Sequence, residues 1–324
     1  MNASAEARTL RRPFRLGVGR IYVLILLLLL ELALFGVLKP AYLSVAGLLD
    51  ASRAFVEAGL LSLGMTLVII TGGIDLSVAS LLALVSVTIG FSFAAGLPLA
   101  LSLVFGLLVG LSGGLLNGLM IAGLTLHPLL VTLGTMAFFR GFAYAVTNAN
   151  AVSTFPDWFA FIGQAYLGDL VPFQLIVWLV AVVTAWILLS KTSFGRYVYG
   201  LGVNERATVF SGVNTFKVKV AVYTLSGFFA AIAAMIQTSR VFTARANAAS
   251  GLELTVIAMV ALGGTRITGG SGSVLGTTLG VLILGYLQDG LGFVGVRNDW
   301  ALVVTGIVLV ITVFANEFFR KESR

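Results

Sequence analysis

The run Ile21–Leu38, IYVLILLLLLELALFGVL, decides the fold class. It is long enough to cross a bilayer core, carries a single carboxylate at Glu31, and is too apolar to lie on a soluble surface. A basic head with Arg8, Arg11, Arg12, Arg15 and Arg20 precedes it, as in a secretory signal. That reading fails: the run is too long, no small-x-small cleavage pattern stands before Lys39-Pro40, and further apolar runs follow. Of the 324 residues 59% are hydrophobic and 10% charged, with mean hydropathy +1.05, more apolar surface than a soluble domain of this length can hide. The absence of Cys and a single His exclude disulfides, thiolate chemistry and Cys/His metal sites, so neither a catalytic nor a metal site is expected. The net charge of +7 flanks apolar spans and forms no stripe interleaved with aromatics, which argues against nucleic acid as a partner.

Working outward from the first run, further candidate spans fall at 52–70, 76–94, 97–121, 128–146, 171–190, 218–237, 252–262, 273–288 and 301–315. The expectation is an all-α polytopic transmembrane bundle of about ten spans. Its parts are a basic segment 1–20, one membrane domain 21–316 with an inner loop at 191–217, and a tail 317–324. Starting inside and alternating outward puts Lys191, Arg196, Arg206, Lys217, Lys219 and the tail's Arg320, Lys321 and Arg324 on the side of the basic head. Asp50, Asp157, Asp169 and Asp299 fall opposite, with Lys39, Arg240, Arg245 and Arg297. The positive-inside rule then makes both termini cytoplasmic. Phe155, Trp158, Phe159, Phe161 and Tyr166 cluster around Pro156 and Asp157, a pattern for a segment at the outer interface or a plain aromatic belt.

Two polar interruptions stand among the apolar runs, at 71–77 (TGGIDLS) and 263–272 (GGTRITGGSG). Non-helical backbone at membrane depth must be buried in protein or line a wet cavity, and paired interruptions often mark a transport path; an ordinary turn is the alternative. Gly106, Gly110, Gly114 and Gly118 recur every four residues and let another helix approach closely; Gly272, Gly276 and Gly280 repeat the pattern. Gly110 to Gly114 also matches the G-x-S-x-G nucleophile elbow around Ser112, but the only His is His127, beside Pro128 at a span start. A leucine-serine-glycine-glycine run there looks like a nucleotide-sandwiching signature, yet no G-x-x-x-x-G-K-[ST] phosphate loop exists, so this chain is not expected to hydrolyse ATP. Ionisable residues inside spans are Glu31, Glu57, Arg140, Glu253 and Asp289, with Glu57, Arg140 and Glu253 near enough to an interface to snorkel or pair. Asp75 follows a glycine pair at a helix start, where a carboxylate either caps the helix or meets a ligand.

The inner loop turns into a short helical pattern, with Asn204 as N-cap, Glu205 in the first turn and Gly212 as stop. A helix this short cannot span; its frame of glycines and small apolar residues suits docking into another protein's groove.

From about Tyr42 to Val313 the chain resembles the membrane subunits of ATP-binding-cassette importers for ribose, rhamnose, related monosaccharides and the autoinducer sugar. The resemblance rests on the stretch from Gly64 to Ser77, on His127-Pro128 with Val131 to Thr135 and Arg140-Gly141, and on Thr192 to Arg196. It continues through Gly202 to Ala207, Ser211-Gly212 and Gly263-Gly264 to Ser273. It implies a bacterial inner-membrane permease, paired with a second copy or close relative, served by a periplasmic or lipid-anchored sugar-binding protein and two cytoplasmic cassette ATPases. ATP and Mg would belong to those ATPases, and no cofactor to this chain. It also implies that 202–212 is the helix docking into the ATPase, with Gly202, Asn204, Glu205, Arg206, Ala207, Ser211 and Gly212 as coupling residues. Thr208 departs from the family's alanine pair, and its hydroxyl is expected at a helix surface. Candidate pathway residues are Thr71, Gly72, Gly73, Asp75, Thr132 and Glu253. A secondary transporter driven by intramembrane carboxylates and an intramembrane hydrolase built on Ser112 and His127 are the competing classes.

Overall fold

The computed structural model describes residues 18–297 and positions 300, 303, 304, 306–308 and 310. The basic head to residue 17, most of the expected span 301–315 and the tail 317–324 lie outside the described residues. The chain is helical nearly throughout. Helix α1 (Val18–Leu38) leads through a 3-10 turn to α2 (Val45–Ala51), and a second 3-10 turn (Ser52–Ala54) leads into α3 (Val56–Ile70). Then come α4 (Val78–Ala94), α5 (Leu99–Gly123), α6 (Pro128–Thr147), the short α7 (Ala160–Gln164), α8 (Phe173–Lys191), α9 (Ser193–Val203), α10 (Glu205–Phe210), α11 (Thr215–Val241), α12 (Leu252–Leu262) and α13 (Val274–Phe293). The only sheet among the described residues is a two-residue antiparallel pair, β1 (Tyr166–Leu167) with β2 (Val171–Pro172).

Helix length divides the bundle into two kinds of element. Among the described residues, α1, α5, α6, α8, α11 and α13 are long and apolar enough to cross a membrane, and α2 with α3 makes a seventh candidate bent by 59°. Two of the ten expected spans are the short members of the bundle, one of them with the very bounds expected, 252–262. Helix α4 has 17 residues and α12 only 11, and at 1.5 Å per residue α12 rises about 16 Å, roughly half of a ~30 Å hydrocarbon core. Such truncated helices expose backbone ends at depth, which is tolerated where protein covers them. Helix α3 accordingly has every residue buried, and most residues of α4 and α12 are buried too. The long helices carry the outward apolar belt: Leu26, Leu30, Val104, Leu108, Phe138, Val180 and Val183 are all at least half exposed or nearly so, a face suited to lipid.

The tightest seam joins α5 to α11. A Cβ on Gly110 would stand 2.7 Å from the Gly227 carbonyl, one on Gly118 2.8 Å from Val220 Cα, and one on Gly114 would meet the Tyr223 carbonyl and Thr224 Cα. Gly106, one turn earlier, meets Ile89 and Val85 of α4 instead, so the glycine stripe serves two partners within the subunit. The second stripe does the same for α13, where Gly276 and Gly280 lie against the Gly263 and Met259 carbonyls at the end of α12.

The aromatic segment after α6 clips onto the far end of α11. Ser239 Oγ donates to the Phe159 carbonyl at 2.5 Å, Gly163 N–H donates to Ser239 Oγ at 2.8 Å, and Gln164 Nε2 reaches the carbonyls of Ser239 and Arg240. Phe159 is buried while Trp158 and Phe161 stay exposed, the amphipathic split expected of an interfacial segment.

Gly114→Leu should therefore force α5 off α11 and cost about 1–3 kcal/mol or more, since backbone cannot step aside as a side chain can. Gly141→Leu, where an added Cβ meets nothing within 4 Å, is the control. Thermal unfolding in detergent should show the first variant destabilised and the second close to wild type; equal stability would refute the seam.

Candidate functional site

Both polar interruptions come together at one end of the short helices. Helix α3 ends in a turn in which Gly72 has φ +85°, a conformation glycine adopts without strain, and Gly72 N–H donates to the Ile69 carbonyl at 2.9 Å. That turn leaves the Ile70 carbonyl pointing away from its own helix, and the second interruption supplies its donor: Gly270 N–H, at 2.9 Å. The two breaks are thus one structure, although 185 residues of sequence, 78–262, lie between them.

Helix α9 is seated on that junction. A Cβ on Gly202 would run into the Ile70 carbonyl and the Gly270 backbone, so only glycine lets α9 come this close. Tyr199 Oη adds a hydrogen bond to the Gly272 carbonyl at 2.8 Å. The chain then turns into α10, where Asn204 Oδ1 accepts from Ala207 N–H at 3.0 Å, the N-cap expected from the sequence. Glu205 pairs with Lys219 of α11 at 2.6 Å, Ser211 Oγ donates to the Ala207 carbonyl, and Gly212 ends the helix with φ +82°. Arg206 and Ala207 are exposed, as are Val203, Val209 and Phe210, the last at 90%. Thr208 is the correction here: it is buried against α9 beside Gly200, not at a free surface, because its hydroxyl folds back to the Asn204 carbonyl at 2.8 Å.

Just beneath the junction, Asp75 is buried in a polar knot. Its Oδ1 accepts from Ser77 N–H at 3.0 Å and from Ser77 Oγ at 2.6 Å, and its Oδ2 accepts from Ser226 Oγ of α11 at 3.0 Å. Asn117 of α5 donates to Ser77 Oγ at 2.8 Å, and Thr132 of α6 donates to the Ile74 carbonyl at 2.9 Å. Asp75 holds the turn that leads into α4, through Ser77, and ties it to α11. Thr71, Gly72, Gly73, Asp75 and Thr132 are therefore neighbours, while Glu253, in the first turn of α12, stands at the other end of the bundle, partly exposed.

At that other end the ionisable side chains find partners. Arg240, in the last turn of α11, donates from Nε to Glu57 Oε1 of α3 at 2.6 Å. Arg140 of α6 holds the carbonyls of Ala246 and Ala248 at 2.7 and 2.8 Å, which anchors the loop 242–251 together with a backbone bridge between Val152 and Ala244. A cavity of about 210 Å³ lies between this loop and the ends of α3, α11, α12 and α13. Sequence reading had Glu57 and Arg240 as separate charges; nothing local joins residues 183 apart. The hydrolase geometry does not assemble. Ser112 lies eleven residues before the end of α5, about 16 Å along the axis, and His127 sits beyond that end, exposed, as the residue preceding Pro128 of α6.

Broken short helices within a ring of long ones, with an exposed apolar helix at one end, define a membrane transport subunit rather than an enzyme. The family described as branched-chain amino acid transport system / permease component matches residues 47–313, and the chain belongs to it. It is 42% identical over 290 residues to the ribose import permease protein RbsC of Bacillus subtilis (strain 168), covering 89% of this chain and 88% of the relative. RbsC of Escherichia coli (strain K12) is 35% identical over 296 residues, covering 89% and 91%. The autoinducer 2 import system permease protein LsrD of Yersinia enterocolitica is 36% identical over 298 residues, covering 89% and 88%. No solved structure matches. The chain is a multi-pass permease of the bacterial inner membrane.

Gly202→Ala should loosen the junction, with a loss of about 1–3 kcal/mol or more and faster proteolysis of the 263–273 loop, because the new methyl meets backbone on two sides. Gly212→Ala, with open space around it, should cost only about 1 kcal/mol from its positive φ. Thermal unfolding and limited proteolysis would check the ranking; Gly202→Ala as stable as wild type would remove the close approach.

Proposed function

We propose that the chain is the membrane-spanning subunit of a binding-protein-dependent ATP-binding-cassette importer for a monosaccharide such as ribose, rhamnose or a related sugar. A second copy or close relative completes the pathway, a periplasmic or lipid-anchored binding protein delivers the sugar, and cytoplasmic cassette ATPases bind ATP and Mg. The end carrying α9 and α10 faces those ATPases, with both termini on the same side.

One observation carries the reading. Phe210 and Val209 are exposed on the short helix α10, with Val203 exposed beside them at the end of α9, and α9 joins α10 directly to the Ile70–Gly270 junction. An apolar helix surface in water calls for a groove to fill, and a rigid connection to both breaks lets movement of that groove reach the membrane core. The names of the relatives, ribose and autoinducer 2 import permeases, support a sugar as cargo. The secondary-transport alternative is weaker, because the relatives are import permeases, Glu57 is paired with Arg240 and Asp75 is held by two serines; of the carboxylates named in the spans, Glu31 of α1 keeps a buried oxygen without a partner. A coupled proton needs a carboxylate free to change partners.

Purified chain alone should neither hydrolyse ATP nor accumulate sugar in proteoliposomes, and both activities should appear when the ATPase and binding protein from the same host are added. Ala207→Asp puts a charge into the docking surface, whose desolvation costs several kcal/mol without a partner. That variant should insert and fold normally yet lose uptake and binding-protein-stimulated hydrolysis by about tenfold or more. Wild-type stimulation in Ala207→Asp would dismiss the docking role, and ATP-independent uptake by the chain alone would favour the secondary transporter.

A further inference from the structure

The cavity at the end opposite α10 is built from groups the fold does not need. Glu57 is buried to within 3% of full, and its partner Arg240 keeps part of its guanidinium open at the cavity wall. An apolar pair of the same volume would hold α3 to α11 at least as well, since a buried ion pair gives up most of its attraction to desolvation. Gln237, one turn before Arg240 on α11, also lines the cavity, and its Oε1 is buried with no hydrogen-bond partner. An orphaned acceptor of this kind is costly unless something supplies a donor. Thr255 of α12 lines the adjoining wall, and Ser250 and Gly251 of the anchored loop form the roof.

These groups suit one kind of guest. Carboxylate and amide oxygens accept, guanidinium N–H groups donate, and a hydroxyl can do either, so a solute bearing several hydroxyls satisfies all of them at once. Because Glu57 and Arg240 neutralise each other, the site has no net charge with which to select an ion. A half-open space of about 210 Å³ is on the scale of one small polyhydroxy solute. The roof is held by Arg140 through the Ala246 and Ala248 carbonyls and by the backbone bridge between Val152 and Ala244.

We infer that this cavity is a transit site for one neutral monosaccharide, its hydroxyls held by Glu57, Arg240 and Gln237 beneath the loop 242–251. The inference rests on the sugar-importer reading and gives it a place in the chain. The site lies apart from the Ile70–Gly270 junction, so its loss should leave coupling to the ATPase intact.

The test uses the complete importer in proteoliposomes, with radiolabelled D-ribose, L-rhamnose and D-xylose as probes and sucrose as the oversized control. Gln237→Met keeps the side chain's length and removes the acceptor; Glu57→Gln with Arg240→Gln removes both charges together and leaves neither unpaired. Expected for both variants is wild-type thermal stability, retained binding-protein-stimulated ATP hydrolysis, and uptake per ATP reduced about tenfold for the sugar that wild type carries. The chain's lack of cysteine gives an independent readout: Thr255→Cys should be modified by a small hydrophilic methanethiosulfonate, and the transported sugar should slow that labelling while sucrose does not. Should the double variant fail to fold, Gln237→Met and the labelling decide. Wild-type uptake per ATP in Gln237→Met together with labelling indifferent to sugar overturns the transit site alone. Absence of uptake of any probe by the wild-type complex overturns the importer reading, and the transit site with it.

Discussion

A backbone group left inside a protein must find its hydrogen bond there, and much of the architecture follows from joining two interrupted segments under that constraint. The Ile70 carbonyl is the clearest case. It escapes its own helix when α3 turns at Gly72, and Gly270, from the other interruption, satisfies it. Neither break is a satisfactory end by itself. Joined, they form an irregular knot at the end of the largely buried helices α3, α4 and α12, with Gly72, Arg266 and Thr268 left exposed.

The enclosure depends on how closely backbones approach. Glycine on both sides of the α5–α11 seam brings carbonyls to the distance where a methyl would not fit, and the same device holds α13 to α12. In lipid there is no hydrophobic drive to push helices together, so close van der Waals packing carries more of the association than it would in water. Asp75, Ser226, Asn117 and Thr132 then tie four helices near the knot. Packing and polar ties reinforce one another: the seam positions Ser226 for Asp75, and the bond holds α4 against α11.

The two ends of the bundle are consequently different. One carries a rigid surface helix bonded through Gly202 to the knot, the other a polar cavity under a loop held by Arg140. A movement imposed at α10 meets backbone within one helix turn, whereas the cavity is separated from it by the length of α12. Placing an attachment point and a solute-sized space at opposite ends of short, broken helices is a physical arrangement that permits one to be driven by the other.

Much of this was legible in the order of residues. Apolar runs located nine helices within the described residues; Asn204 and Gly212 marked the two ends of α10; and the four-residue glycine spacing announced a close helix contact. Each is a local signal, carried by a few neighbouring side chains and the 3.6-residue turn. The shortness of α12 was legible as the eleven-residue run 252–262, but not which helices would enclose it. Nor was the meeting of Glu57 with Arg240, the bond from Gly270 to Ile70, the burial of Thr208 against α9, or the sharing of the glycine stripe between α4 and α11. Those pairings join residues far apart in the chain or on separate elements, and no periodicity records which faces will meet. The sequence by itself determined that the chain lies in a membrane as helices with two glycine-rich interruptions and a short inner helix. Only the tertiary structure decided that the interruptions complete each other, because a backbone carbonyl freed from its own helix takes whichever donor the packing of distant helices brings to it.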